Sequence, residues 1–179
     1  PQMNRIPFSM GITAHNEEAN IGRLLECTLE QKLQTAELAE IIVVISGCTD
    51  NTETIVREYM ARDKRIHLLI QEHREGKASA MNLFLSGATH EILILSSADL
   101  QPAADALEHL ISPFRDPELG LTACRPEPIN PPDTFMGFAA HLLWELHHQM
   151  NLYGFKAGEM IAFRKVFSRI RPYTDVDEA

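Results

Sequence analysis

The sequence has 179 residues, which is enough for one domain with a sizeable core and too few for two. Its hydrophobic fraction of 45% and charged fraction of 23% are ordinary for a globular domain. The formal charge of −9 excludes a general nucleic-acid binder, because such a protein needs a basic face to neutralise phosphates.

Short β-type runs alternate with helical windows along residues 1–124. The predicted strands are 8–13, 40–45, 66–70, 91–95 and 119–124. The predicted helices are 17–31, one that starts near 51 behind a capping box at 50–53, 77–88, and 103–115 with Pro102 at its opening. Continuous apolar runs such as EIIVVI at 40–45 suit strands buried on both faces of a parallel sheet. The alternation predicts an α/β fold, with a doubly wound, mostly parallel sheet flanked by helices.

The pattern changes after Cys124. Residues 125–132 are rich in proline and predict a loop, 135–150 predict a long helix, and 156–163 predict a further strand. The sequence stops at Ala179 on an acidic cluster without a capping signal. We therefore expect one domain over residues 1–179 that is cut short at its C-terminus. The residues expected after Ala179 could include a membrane anchor.

The cysteines and the hydropathy bear on location. Cys27, Cys48 and Cys124 are widely spaced and form no C-x-x-C pair, which indicates reduced thiols and a cytosolic setting. No apolar run approaches the roughly 20 residues that span a bilayer. We expect a cytoplasmic protein. A membrane anchor after Ala179 would hold it at the cytoplasmic face of a membrane.

Polar or small residues follow four of the predicted strands. Ligands of doubly wound sheets bind beyond the carboxyl ends of the strands, so the loops 13–17, 46–50, 71–77 and 96–102 are the candidate site. Small residues there would let a flat ligand approach, basic groups would meet phosphate, and a carboxylate can hold a divalent cation between phosphates. Each loop also has a plainer interpretation: Asp50 and Asp99 could cap helices, and Arg74 and Lys77 could be solvated charges.

Several segments resemble motifs of the family 2 glycosyltransferases, in the same order along the chain. ITAHNEEANI at 12–21 is similar to P-A-Y-N-E-E-x-N-I, and VVISGCTDNT at 43–52 is similar to V-V-D-D-G-S-T-D-G-T. GKASAMN at 76–82 resembles G-K-x-x-A-L-N, and GEMIAFR at 158–164 resembles G-x-x-x-A-x-R. Ser97-Ala98-Asp99 lies where the family carries its metal-binding D-x-D, and Leu100-Gln101-Pro102 resembles the D-A-D-L-Q-x-P of dolichol-phosphate mannose synthases.

This resemblance implies a GT-A fold and an inverting transfer of sugar from a UDP- or GDP-sugar to a hydroxyl of a glycan, lipid or other acceptor. It implies that Asp99 holds Mg²⁺ or Mn²⁺, with Gln101 as a second ligand. The residues expected to bind the nucleotide-sugar donor are Thr13, Ala14, Glu17, Ser46, Gly47, Arg74, Lys77, Ser97 and Ala98. Asp177 is expected to be the catalytic base, because Asp177-Glu178-Ala179 resembles the family's D-D/E-A segment.

The sequence also departs from the family pattern. Ser97 replaces the first acid of D-x-D, and Ile45 and Ser46 replace the acid pair of the second motif. In the first motif, Thr13 and His15 replace the proline and the tyrosine. A catalytically degenerate nucleotide-sugar-binding module is therefore an alternative, and the acids near Ala179 could be only a solvated terminus. A sugar-phosphate nucleotidyltransferase is less favoured, because the loop after the first strand is neither glycine-rich nor basic.

Overall fold

The computed structural model describes residues 5–153 and 159–166. In this part of the chain, the strands are β1 (Ile6–Ala14), β2 (Ala36–Ser46), β3 (Ile66–Gln71), β4 (Ile92–Ser97), β5 (Leu121–Ala123) and β6 (Met160–Arg164). The helices are α1 (Ile21–Leu29), α2 (Thr52–Arg62), α3 (Lys77–Gly87), α4 (Ala106–Ile111) and α5 (Phe135–Tyr153), with a 3₁₀ helix at Ser112–Arg115 after α4.

The six strands form one mixed sheet in the order β3-β2-β1-β4-β6-β5. Strands β1 to β4 are parallel to one another, whereas β6 runs antiparallel to both of its neighbours, β4 and β5. The chain moves outward from β1 through β2 to β3 and then returns to place β4 on the other side of β1. The predicted α/β sheet is confirmed, and its topological switch point lies at β1.

The central strands β1, β2, β4 and β6 are buried on both faces along most of their length, whereas the edge strands β3 and β5 are partly exposed. Alternate residues of β1 (Phe8, Met10 and Ile12) pack with apolar residues of α1, α2 and α4. On the opposite face, α3 buries Phe84 against the sheet. A Cβ at Gly11 would lie 2.5 Å from the Phe84 ring, so the glycine permits α3 to lie directly on β1. Burial of this ring stabilises the fold by about 1.5–3 kcal/mol.

Several predicted boundaries differ from the structure. The first helix begins at Ile21 rather than 17, and β2 begins at Ala36 rather than 40. The helix expected after Pro102 begins only at Ala106, because the backbone of 103 and 104 is held by another loop: Gln31 and Lys32 donate hydrogen bonds to the carbonyl groups of these two residues. The strand predicted at 156–163 is β6, whose described part starts at Met160.

Helix α5 carries a largely apolar surface that is exposed to solvent. Phe135, Met136, Phe138, Leu143 and Leu146 are all more than half exposed. Among the described residues, however, no helix is both long enough and apolar enough to cross a membrane.

Candidate functional site

A cavity of about 380 Å³ lies at the edge of the sheet where the parallel strands end. It is bounded by the carboxyl ends of β1, β2 and β4, the first turn of α3 and the residue before β6. Its lining is Thr13, Ala14, His15, Glu17, Ser46, Arg74, Gly76, Lys77, Ala80, Ser97, Ala98, Asp99 and Glu159. This set includes most of the residues predicted to bind the donor, together with Asp99.

Two predicted site residues do not line this cavity. Gly47 is absent from the lining; it has a φ of 58°, and a Cβ there would approach the backbone nitrogen of Arg74 to 2.5 Å. Glycine at 47 therefore permits the position of the loop that carries Arg74. Gln101 is exposed and absent from the lining, so its role as a metal ligand stays a prediction. Asp177 lies outside the described residues.

His15 and Ser46 join the ends of β1 and β2. Nδ1 of His15 lies 2.7 Å from the backbone oxygen of Ser46. A carbonyl oxygen can only accept, so Nδ1 carries a proton and donates it to Ser46. The Ser46 hydroxyl donates to the backbone oxygen of His73 at 3.3 Å and accepts from the Glu75 amide at 3.1 Å. Ser46 thus fixes the loop that carries Arg74.

Glu17 and Asp50 hold the beginnings of α1 and α2. The Glu17 carboxylate accepts a hydrogen bond from the Asn20 side chain at 2.9 Å, and its backbone amide donates to the Thr52 hydroxyl at 2.8 Å. Asp50 accepts from the amide and the hydroxyl of Thr52 and from the amide of Glu18. Burial raises the pKa of Asp50, but these hydrogen bonds outweigh it and lower the pKa. The N-cap residue of α2 is Asn51, so Asp50 binds the first residue of the helix, Thr52, from one position before the cap.

The basic side of the cavity lies at the start of α3. Lys77 is the first residue of this helix, where the backbone N–H groups and the helix dipole favour an anion. Its Nζ lies 3.4 Å from the Ser97 hydroxyl, so the ammonium group reaches the end of β4 across the cavity. Arg74 lines the cavity beside Ser46.

The acidic side of the cavity lies at the end of β4. Asp99 is exposed and lies well before the first residue of α4, which rules out its interpretation as the cap of that helix. The Ser97 amide donates to the backbone oxygen of Glu159 at 3.3 Å, and the Ser97 hydroxyl donates to Oε2 of Glu159 at 3.3 Å. Carboxylate oxygens are the ligands that Mg²⁺ and Mn²⁺ prefer, so Asp99 has the right chemistry for such a cation.

The sequence-based site did not include His15, Gly76, Ala80 or Glu159, all of which line the cavity. His15 could have been chosen, since it takes the place of a motif tyrosine. Glu159 has no local signal, because it reaches the cavity from the position just before β6, 62 residues beyond Ser97 in the sequence.

A sheet with this strand order, and a polar cavity at its switch point, define an α/β domain of the GT-A type. A family model described as Glycosyl transferase family 2 matches residues 9–171, and the chain belongs to this family.

Two curated relatives match part of the chain. The glycosyltransferase GlyG of Streptococcus pneumoniae is 37% identical over 81 residues, which cover 45% of this chain and 27% of GlyG. The poly-beta-1,6-N-acetyl-D-glucosamine synthase of Staphylococcus aureus is 30% identical over 116 residues, which cover 64% of this chain and 27% of the synthase. The chain thus spans less than a third of the length of these relatives.

Among solved structures, the chain is similar to the mannosyltransferase PcManGT from Pyrobaculum calidifontis in complex with GDP-Man and Mn²⁺. The TM-score is 0.70 and the identity is 24%, with 97% of this chain and 49% of PcManGT covered. The glucosyl-3-phosphoglycerate synthase of Mycobacterium tuberculosis, in complex with Mn²⁺ and UDP, gives a TM-score of 0.62 at 20% identity, over 90% of this chain and 57% of that one. These two likenesses support the GT-A fold.

Proposed function

We propose that this domain is an inverting glycosyltransferase that moves a sugar from a UDP- or GDP-sugar to an acceptor hydroxyl. The observation that carries the proposal is that Arg74, Lys77 and Asp99 line one cavity at the switch point of the sheet. Two cationic groups beside a carboxylate suit a diphosphate that is bound together with a divalent cation. The mannosyltransferase and synthase described above, which share the fold, were solved with a nucleotide and Mn²⁺.

The lining residues divide the work of donor binding. Lys77 and Arg74 would bind phosphate oxygens, and Lys77 adds the favourable field at the start of α3. Thr13, Ala14 and Ala98 are small and would let the donor lie close to the strand ends. Asp99 would hold the Mg²⁺ or Mn²⁺ ion, with Gln101 as the predicted second ligand. When bound, this ion supplies positive charge beside the departing diphosphate.

The acceptor side of the reaction rests on Asp177. In an inverting transfer the acceptor oxygen attacks the sugar from the face opposite the diphosphate, so the base must lie away from Lys77 and Asp99. Asp177 would take the proton of the acceptor hydroxyl there. An acceptor carried on a lipid would bring the enzyme to the cytoplasmic face of a membrane, which this proposal includes as one case.

Two measurements on the same preparation test the function. Calorimetric titration with UDP, GDP and, as a control, ADP should show binding of UDP or GDP that strengthens with Mn²⁺ and weakens with EDTA. Proton NMR of the product made from an α-linked donor should show a β-linked sugar. A protein that binds neither UDP nor GDP would contradict the proposal. A protein that binds one of them but neither transfers nor hydrolyses any sugar donor would favour the catalytically degenerate module that Ser97 suggests.

A further inference from the structure

The end of β4 carries a serine, Ser97, at a position where a second carboxylate would help to hold a cation. We propose that Glu159 supplies this carboxylate, as a ligand of the same divalent cation that Asp99 binds. The inference rests on the proposed function, because it concerns the cation of that site.

The register of the sheet places Glu159 beside Ser97. Strands β4 and β6 are antiparallel, and Ser96 pairs with Met160. One step further along the ladder, Ser97 faces Glu159, and the Ser97 amide donates to the Glu159 carbonyl at 3.3 Å. Directly opposed residues in an antiparallel pair have Cβ atoms about 4.5–5.5 Å apart, so their side chains share one small region. The backbone therefore fixes where the Glu159 side chain starts.

The side chains show that the Glu159 carboxylate reaches the position of the missing acid. The Ser97 hydroxyl donates to Oε2 of Glu159 at 3.3 Å. A serine Oγ occupies the position of the carboxyl carbon of an aspartate, so the oxygens of an aspartate at 97 would lie only one bond further on. Oε2 of Glu159 thus lies within a hydrogen-bond length of the place that a carboxylate at 97 would fill. Glu159 and Asp99 line the same cavity.

The number of acidic groups suits a cation that is shared with a substrate. In the part of the chain that the structure describes, no group of three or more His, Cys, Asp or Glu residues could hold a metal. Mg²⁺ is commonly bound by one or two carboxylates together with substrate phosphates and water. Asp99 and Glu159 would supply the two carboxylates, and the donor diphosphate would supply further oxygens. We therefore expect tight Mn²⁺ binding only in the presence of the nucleotide.

The rival explanation is that Glu159 is a counter-ion for Lys77. The Lys77 Nζ lies 3.4 Å from the same Ser97 hydroxyl, so the lysine and the glutamate are close. The two roles differ in the absence of metal. A counter-ion that positions Lys77 would support nucleotide binding in EDTA, whereas a metal ligand would leave that binding unchanged or would weaken it by repulsion of phosphate.

The test is a titration of the protein with Mn²⁺ in the presence of saturating UDP or GDP. The electron paramagnetic resonance signal of free Mn²⁺ measures how much of the ion remains unbound. Glu159→Gln should weaken Mn²⁺ binding by at least about tenfold, since even partners that only orient metal ligands are worth about 10–100-fold in affinity. Glu91→Gln is the matched control: it removes the same charge from an exposed residue just before β4, at the opposite edge of the sheet. A double variant, Ser97→Asp with Glu159→Gln, should recover most of the Mn²⁺ affinity, because it returns a carboxylate to the same region.

Each outcome decides the matter. Wild-type protein that binds neither UDP nor GDP would contradict the proposed function itself, and with it this inference. Wild-type protein that binds nucleotide and Mn²⁺ while Glu159→Gln binds Mn²⁺ equally well would overturn the role of Glu159 alone. The same conclusion follows if Glu159→Gln weakens nucleotide binding in EDTA, or if the double variant recovers no Mn²⁺ affinity while its circular dichroism spectrum matches the wild type.

Discussion

Glu40 is a buried acid whose removal gives the sharpest test of how the sheet is held together. It lies in β2 with 8% of its surface exposed, towards the amino ends of the parallel strands and away from the cavity. Its Oε1 accepts hydrogen bonds from the Ser9 hydroxyl at 2.5 Å and from the amide and hydroxyl of Thr89 at 2.7 and 2.8 Å. His90 Nδ1 lies 3.2 Å from the same oxygen. Glu40 thus joins β1, β2 and the turn before β4.

These contacts set both the pKa of Glu40 and the size of the expected effect. Burial alone raises the pKa, but the hydrogen bonds from Ser9, Thr89 and His90 outweigh it and lower the pKa from 4.5 to about 2. A pKa difference of about 2.5 corresponds to about 3 kcal/mol of folding free energy. Because the folded-state pKa is the lower one, this stabilisation is fully present above pH 4.5 and is lost as the pH falls through about 2.

The assay is urea unfolding between about pH 7 and about pH 2.5. Glu40→Gln should lower the free energy of unfolding by up to about 3 kcal/mol near neutral pH, and the gap from the wild type should narrow below about pH 4.5. Other acids with lowered pKa values titrate in both proteins and cancel in this difference. Glu37→Gln, an exposed position on the same strand, should change stability by less than about 0.5 kcal/mol. A gap that stays constant with pH would refute the reasoning.

Three further predictions concern the cavity and the acceptor side. Asp99→Asn should abolish the Mn²⁺-dependent part of nucleotide binding without lowering the Tm; calorimetry with Mn²⁺ and with EDTA checks this, and unchanged Mn²⁺ dependence would contradict the assignment. Lys77→Ala should weaken binding of UDP or GDP by about 1.5 kcal/mol or more while sparing uridine or guanosine, because the lost contact is to phosphate; equal losses for nucleotide and nucleoside would count against it. Asp177→Asn should cut transfer by roughly 10²–10⁴-fold at unchanged donor affinity, whereas Asp175→Asn should cost far less; a fully active Asp177→Asn variant, or a more damaged Asp175→Asn variant, would show that the base is another residue.

Hydrophobic patterns predicted the elements better than their ends. Strand β2 illustrates the reason: its second half, IIVVI, is a continuous apolar run, but its first half alternates between buried and exposed residues. A continuous apolar run is the signal of a strand buried on both faces, so this signal detects only the second half of β2. The predicted start of helix α4 was wrong for a different reason, because the residues after Pro102 are compatible with a helix. Tertiary hydrogen bonds from Gln31 and Lys32 hold them in a loop, and no local signal shows such contacts.

The order and direction of the last strands could not be read from the sequence. Alternation of strands and helices predicts parallel neighbours, and it holds for β1 to β4. After β5 the chain runs through a proline-rich segment and the long helix α5 before β6 enters the sheet between β4 and β5. A strand that arrives after so long a connection can pair in either direction, so its apolar pattern fixes its burial but not its place.

The direction of β6 also explains which part of the site was missed. The loops predicted to form the site follow the carboxyl ends of parallel strands, because those ends meet at one edge of the sheet. An antiparallel strand in the same sheet presents its beginning, not its end, at that edge. Glu159 immediately precedes β6, so it lies opposite the last residue of β4 and lines the cavity with Ser97 and Asp99. In a mixed sheet of this kind, the residues just before an antiparallel strand therefore belong to the candidate site as much as those just after a parallel one.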